Sequence, residues 1–217
     1  MSTRSYHLME LAIARDRADP RHSLPAVLPT HRRVLDIGCG AGQTLIGCEL
    51  PEGVMGVGVD VDHEALVLGH QIAPALRFLR SRGEMLPFAD ASFDLVICRV
   101  ALPYMHIRRA TSEMARVLAA GGAVWLVLHP WTMTAAELAA AARSLRLKAM
   151  LHRMHVMASS ALLHVADAQF KWPFGGGYES FQTARGIRRA LTAAGFDAIE
   201  IRRGAAFIAT ARRSHTG

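Results

Sequence analysis

Residues 34–45 read VLDIGCGAGQTL. The run Val34-Leu35-Asp36-Ile37 has the apolar, β-branched character of a short buried strand. Gly38, Gly40 and Gly42 follow within five positions, and a helical stretch opens at Gln43. A glycine loop between a strand and a helix lets backbone approach a ligand closely, and that ligand is commonly a phosphate. Here a carboxylate, Asp36, stands two residues before the first glycine. The pairing of a close-approaching backbone with a negative charge is what the rest of the sequence has to explain.

Outward from this stretch, strand and helix patterns alternate. Strands are expected at 34–37, 54–59, 77–79, 93–98 and 123–128, with helices at 43–50, 64–72 and 108–118 between them. Pro74 stops the second of these helices, Gly121-Gly122 is expected to end the third, and Asp62 is placed to cap the second. Upstream, 5–18 reads as an amphipathic helix on Leu8, Leu11 and Ile13, and Pro20, Pro25 and Pro29 punctuate 19–31. Downstream, a helix at 184–194 ends at Gly195, and two antiparallel strands at 198–202 and 206–211 close the chain. Repeated strand–helix units of this length imply a parallel sheet with helices on both faces and a ligand at the strands' carboxyl ends. The expected fold is therefore α/β and Rossmann-like, doubly wound and mostly parallel.

Segment 131–179 departs from that rhythm. An alanine-rich helix at 135–142 is followed by a helical stripe on Leu147, Met150, Leu151, Met154, Ala158, Ala161, Leu162 and Val165, and no acidic residue occurs from Leu138 to Ala166. The segment is expected to be a helical lid, inserted into a single domain spanning 1–217, with Met150, Met154 and Met157 as candidate pocket residues. Trp172, Phe174 and Tyr178 around Gly175-Gly176-Gly177 read as a flap.

Composition sets outer limits. With 51% apolar and 20% charged residues, the 217-residue chain buries a core and is not disordered. No apolar run is long enough to span a bilayer, and no membrane partner is expected. The first twenty residues spread charge through their apolar positions, unlike a signal peptide. Three cysteines without metal spacing suit a reducing cytoplasm, the expected location. The net charge of +7 raises nucleic acid as a partner, but the arginines are scattered rather than clustered.

A dinucleotide fits the loop poorly. The third glycine falls one place early for G-x-G-x-x-G, and a pyrophosphate ~5 Å from Asp36 would be repelled by on the order of a few kcal/mol. S-adenosylmethionine has no phosphate and carries an α-ammonium and a sulfonium, which a carboxylate attracts. The whole arrangement resembles the class I S-adenosylmethionine-dependent methyltransferases. Asp36-x-Gly38-x-Gly40-x-Gly42 resembles their first motif, and GVGVDVDHEAL (58–68) their second. GEMLPFADASFDLVICR (83–99), RVLAAGGAVWLVLHP (116–130) and the tail from Arg189 resemble the later ones, in order.

The resemblance implies a seven-stranded sheet with an antiparallel last strand, and a cofactor site of Asp36, Gly38, Cys39, Gly40, Gly42, Asp60, Val61, Gly83, Glu84, Met85 and Arg99. Asp60 would accept from both ribose hydroxyls, Val61 would pack on the adenine, and the Arg99 carbonyl would face the ammonium. Many relatives carry an acid and then alanine where Arg82 and Gly83 stand, leaving Glu84 to receive the adenine amine.

Methyl transfer is an in-line displacement that depends on alignment and exclusion of water, with a base useful for an oxygen acceptor. His129, at the end of the fifth strand, is the first candidate base, followed by His106 and Tyr104 after the fourth. His152, His155 and His164 share a helix face without a carboxylate or thiolate to complete a set, so no metal is expected. The acceptor is expected to be a small molecule. Two rival readings are an RNA methyltransferase, with Arg143, Arg146, Lys148, Arg153, Arg185, Arg188 and Arg189 gathered around the pocket, and a non-catalytic adenosylmethionine-binding sensor.

Overall fold

The computed structural model describes residues 3–166, 168–173 and 177–215. Strands β1 (Arg33–Ile37), β2 (Met55–Asp60), β3 (Arg77–Arg80), β4 (Phe93–Arg99) and β5 (Leu118–Leu128) pair in parallel, and β6 (Phe196–Arg203) and β7 (Phe207–Arg213) follow. They form one seven-stranded sheet in the order β3-β2-β1-β4-β5-β7-β6, with β7 antiparallel to both its neighbours. This is the doubly wound, mostly parallel sheet anticipated from the strand–helix alternation. Strand order reverses between β1 and β4, so a crevice opens at their carboxyl ends.

The helices are α1 (Thr3–Arg15), α2 (Gln43–Gly47), α3 (His63–Ile72), α4 (Ile107–Val117), α5 (Trp131–Arg143), α6 (Leu147–Ala166) and α7 (Ala184–Ala193), with a 3-10 turn at Leu102–Tyr104. Side chains alternate across β1, as the pleat requires. Leu35 and Ile37 join the layer that holds Met114 and Ile187, whereas Val34 joins Leu45, Ile97 and Trp125 on the other face. Asp36 projects to the same face as Val34. Asp62 caps α3 as expected, accepting from the N–H groups of Glu64 and Ala65 at 2.9 and 3.2 Å. The Phe78 ring of β3 lies against the backbones of Gly42 and Gly69, where a Cβ would come within 2.9 Å of it. That close fit draws the glycine loop and α3 onto the sheet edge.

Two expectations need correction. The glycine pair does not end α4. That helix stops at Val117, Leu118 is already extended, and Gly121, at φ 74°, sits where pairing skips from Phe93↔Leu118 to Leu95↔Ala123. The apolar stripe of α6 does not face the protein either. Leu147, Leu151, Met154, Leu162 and Val165 are exposed, and the buried face carries Val156, Ser159 and Ser160. The serines are tolerated inside because each has a partner: Ser160 Oγ donates to the Val156 carbonyl at 2.6 Å and accepts from Phe181 N–H, and Ser159 Oγ accepts from Phe170 N–H.

One clamp sets the edge of the crevice. Arg116 of α4 donates to the Phe88 and Leu86 carbonyls at 2.7 and 3.0 Å and pairs with Glu113 and Asp90. Glu113 in turn accepts from Leu86 N–H at 2.7 Å. The loop from β3 to β4 is thereby tied down immediately after Gly83 and Glu84. Arg116→Ala should lower unfolding free energy in urea by about 2–3 kcal/mol, since charge-assisted bonds to partly buried carbonyls are lost. Arg116→Lys should recover less than half of that, because a point charge cannot reproduce the fork. A variant as stable as the wild type would refute the clamp.

Candidate active site

Two cavities meet at the carboxyl ends of the central strands. The first, of about 450 Å³, is lined by Gly38, Cys39 and Gly40 of the loop, by Asp60 and Val61 after β2, by Gly83 and Glu84, and by Arg99 and Tyr104. The second, of about 770 Å³, is lined by Val127, Leu128 and His129 at the end of β5, by Trp131 and Met133 of α5, and by Phe207. Tyr6, Glu10, Arg99 and Val100 line both, so the two spaces share a wall. Val100 holds φ 55°, an outlier for a β-branched residue, and its N–H donates to the Val127 carbonyl at 3.0 Å. Backbone strain of this kind persists only where surrounding structure over-determines it. Here it bends the chain out of β4 between the two spaces.

The glycine loop is fastened to the end of β2. Gly38 and Cys39 N–H both donate to the Val59 carbonyl, at 2.8 and 3.1 Å, and Gly40 N–H donates to Asp60 Oδ2 at 2.8 Å. The other Asp60 oxygen accepts from Asp62 N–H at 2.9 Å. Each oxygen keeps a lone pair for the first cavity, where Asp60 is a lining residue. Gly38 has φ 72°, and a side chain there would collide with the Ala101 methyl group. The loop is close-packed against its own chain as well as open to the cavity.

Charge in the first cavity is tilted to the negative. Arg99 Nη1 pairs with Glu10 at 3.1 Å, and Arg82 lies 3.9 Å from Glu84. Both lining guanidinium groups thus have an acid, whereas Asp60 is held by backbone N–H groups. Beneath the floor, Asp36 is 1% exposed and neither of its oxygens has a partner at hydrogen-bond geometry, although the Thr44 side chain approaches it. Burial pushes its carboxyl up to about 7; Arg99 pulls down, Asp60 pushes up, and Thr44 pulls down.

Several expected site residues sit elsewhere. Asp36 does not line the cavity. Gly42 turns into the α2 N-cap against Phe78, and Met85 is 73% exposed on the outer side of the Arg82–Met85 bridge. His106 lines neither space. Its ring nitrogen accepts from Arg109 N–H as the cap of α4, and its own N–H donates to Glu84 at 3.0 Å, so it is spent on structure. His129 lies in the second cavity, its ring edge-on to Tyr104 at 5.6 Å and its backbone joined to Gln182. Burial, the leading effect, pulls its imidazole below the ordinary value, which favours the neutral form. Burial likewise raises the Tyr104 phenol.

Among the described residues the cover over the first cavity comes mainly from α1, with Gly177 alone contributing from 131–179. Tyr6, His7 and Glu10 line it, and the His7 ring meets Gln43 Nε2 at 2.6 Å. Their spacing places them on one helix face, the only hint the sequence offered. Among the described residues of the insertion, only Trp131, Thr132 and Met133 reach the second cavity; Met150, Met154 and Met157 line neither. Gly177 lines the first, whereas Phe174, Gly175 and Gly176 lie outside the described residues. Among the described residues, no group of three His, Cys, Asp or Glu side chains forms a metal site.

Residues 35–126 match a family model described as a methyltransferase domain. The chain is similar to an uncharacterized methyltransferase, YcgJ, of Bacillus subtilis, 39% identical over 103 residues, covering 45% of this chain and 40% of that one. The chain spans about half the length, or less, of the curated relatives it matches. Its fold is similar to that of a SAM-dependent methyltransferase from Methanosarcina mazei, with TM-score 0.58 and 19% identity over 88% of this chain and 99% of that one. It is also similar to a Haloferax volcanii putative methyltransferase complexed with the Trm112 methyltransferase activator, with TM-score 0.65 and 16% identity over 99% and 94%.

Asp36 makes stability fall with pH. Its folded value of about 7 lies above the unfolded one, so between ~4 and ~7 the native state holds a proton that the unfolded chain releases. Asp36→Asn should gain on the wild type by on the order of 2–4 kcal/mol as pH rises from 4 to 8. Thermal unfolding of both across that range checks it, and a difference independent of pH would contradict the assignment.

Proposed function

We propose that this chain, whose residues 35–126 match the model of a methyltransferase domain, is a class I S-adenosylmethionine-dependent methyltransferase that transfers the cofactor's methyl group to a small molecule held in the second cavity. The observation that carries this reading is the shared wall: a nucleoside-sized, acid-tilted cavity adjoins a larger, mainly apolar one across Arg99 and Val100. The residues of the first cavity fit the cofactor on the evidence of Asp60, whose carboxylate lines it and would repel a pyrophosphate but attract a cation.

S-adenosylmethionine supplies an electrophilic methyl carbon and a thioether leaving group. In this reading, Asp60 receives the ribose hydroxyls, and the exposed Val61 packs against the adenine. Gly83 N–H and the Glu84 oxygen not bonded to His106 face the adenine edge. The Arg99 carbonyl favours the ammonium end, and a cation bound above Asp36 would in turn favour ionisation of that buried carboxyl. Tyr6, His7 and Glu10 exclude water from above, which strengthens each of these interactions. The acceptor lies among Trp131, Met133 and Phe207, and neutral His129 takes its proton where the acceptor is a hydroxyl. Tyr104 orients that imidazole through the edge-on ring contact.

A small acceptor is favoured over RNA because the seven basic residues named for that rival line neither cavity. Arg153 pairs with Glu179 and Glu137, and Arg188 donates to the Ile199 carbonyl. A second cavity beyond the first likewise favours transfer over mere sensing.

Calorimetric titration should find adenosylhomocysteine binding and no NAD binding, with Asp60→Asn at least ten-fold weaker for the former. The asparagine keeps an acceptor for Gly40 N–H while removing the charge. In a fractionated cell extract, labelled methyl from S-adenosylmethionine should enter small metabolites, and His129→Ala should slow that transfer by 10²-fold or more for an oxygen acceptor. Label confined to RNA would overturn the substrate class.

A further inference from the structure

Among the described residues no helix is long and apolar enough to cross a membrane, yet α6 turns its apolar side outward. Leu147, Leu151, Met154, Ala158, Ala161 and Val165 recur at alternating steps of four and three, forming one seam about 27 Å long. All six are exposed, Leu147 at 71% and Val165 at 78%, and Leu145, in the turn from α5, is 82% exposed. An outward seam of this kind marks an interaction surface.

The charges around the seam say what covers it. Arg143, Arg146 and Lys148 surround Leu145 and Leu147 at one end, and all three are exposed. At the other end Arg189 of α7 reaches over the last turn of α6, donating to the Leu163 and His164 carbonyls. The sequence holds no Asp or Glu from Leu138 to Ala166. Glu137 and Glu179 are engaged with Arg153. The 4-3 spacing suits a helix partner, but the positions flanking the seam carry Lys148, His155 and His164 with no carboxylate. A second copy would therefore offer Lys148 no carboxylate partner along the seam, without the complementary charges that pair helices. An amphipathic helix with leucines inward and Arg/Lys at headgroup level, lying flat, meets both conditions.

We infer that the outward face of α6 and the Arg143–Lys148 turn dock this protein on an anionic lipid bilayer surface. The expectation of no membrane partner rests on the lack of a spanning segment, a criterion that does not bear on surface docking. Docking by this face needs no change in the sheet or in the two cavities.

Vesicle flotation of the full chain tests it, with phosphatidylcholine vesicles and with phosphatidylcholine–phosphatidylglycerol vesicles at 7:3. The protein should float with the mixed vesicles and at least ten-fold less with the neutral ones. Leu147→Ser/Leu151→Ser should lose ten-fold or more of that binding, and Arg146→Glu/Lys148→Glu a similar amount. Circular dichroism and adenosylhomocysteine affinity should be unchanged, since these side chains lie at the surface away from the first cavity. Equal flotation with neutral vesicles, or no flotation with the mixed ones, would overturn the inference. So would a dimer in sedimentation velocity that the serine variant abolishes, because the seam would then be occupied by a second copy.

Discussion

The Asp60 carboxylate ties the glycine loop to the end of β2. One oxygen holds Gly40 N–H and the other holds Asp62 N–H, whose own side chain starts α3. A single acid thus joins the loop, the strand end and the next helix. Asp60 also lines the cavity, so the same carboxylate that fastens the backbone is presented to a ligand. Strand order reverses beside it, so the parallel sheet's crevice and the acid coincide. Cavity, loop shape and charge sign all follow from that junction.

Electrostatics and sterics divide the crevice into two unlike compartments. On the Asp60 side, both lining guanidinium groups are neutralised by Glu10 and Glu84, leaving a surplus of negative charge above a buried Asp36. On the His129 side, the walls are mainly apolar and the imidazole is held neutral by burial. Val100, strained and bonded across to Val127, stands between them. A polar, cationic ligand and a less polar one would be sorted by these walls before any chemistry occurs.

Local chemistry made the sheet, the glycine loop and Asp60 legible in the sequence. Strand runs, glycines and a helix cap act over a few residues, and Asp62 caps α3 for the reason the sequence gives. What escaped depends on distant contacts. Helical period shows that α1 has two faces, but only packing reveals that Tyr6, His7 and Glu10 look onto a loop more than thirty residues away. The stripe on α6 was visible as a stripe. Its direction was not, because Ser159 and Ser160 are buried by satisfying their hydroxyls with Val156, Phe170 and Phe181. His106 resembled a base because a capping role through Arg109 and Glu84 depends on where α4 begins and on a loop from another part of the chain.

The fit between the glycine loop and its neighbours has a consequence for how sequences of this kind diverge. Gly38 faces the methyl of Ala101, and Gly42 faces the ring of Phe78. Neither partner can enlarge while the loop keeps its course, and neither glycine can gain a side chain unless its opposite shrinks or withdraws. Drift at positions 78 and 101 is therefore chained to drift at 42 and 38, across the width of the sheet. Homologues should change these residues in pairs, so covariation at two places remote in the chain would carry the imprint of one turn.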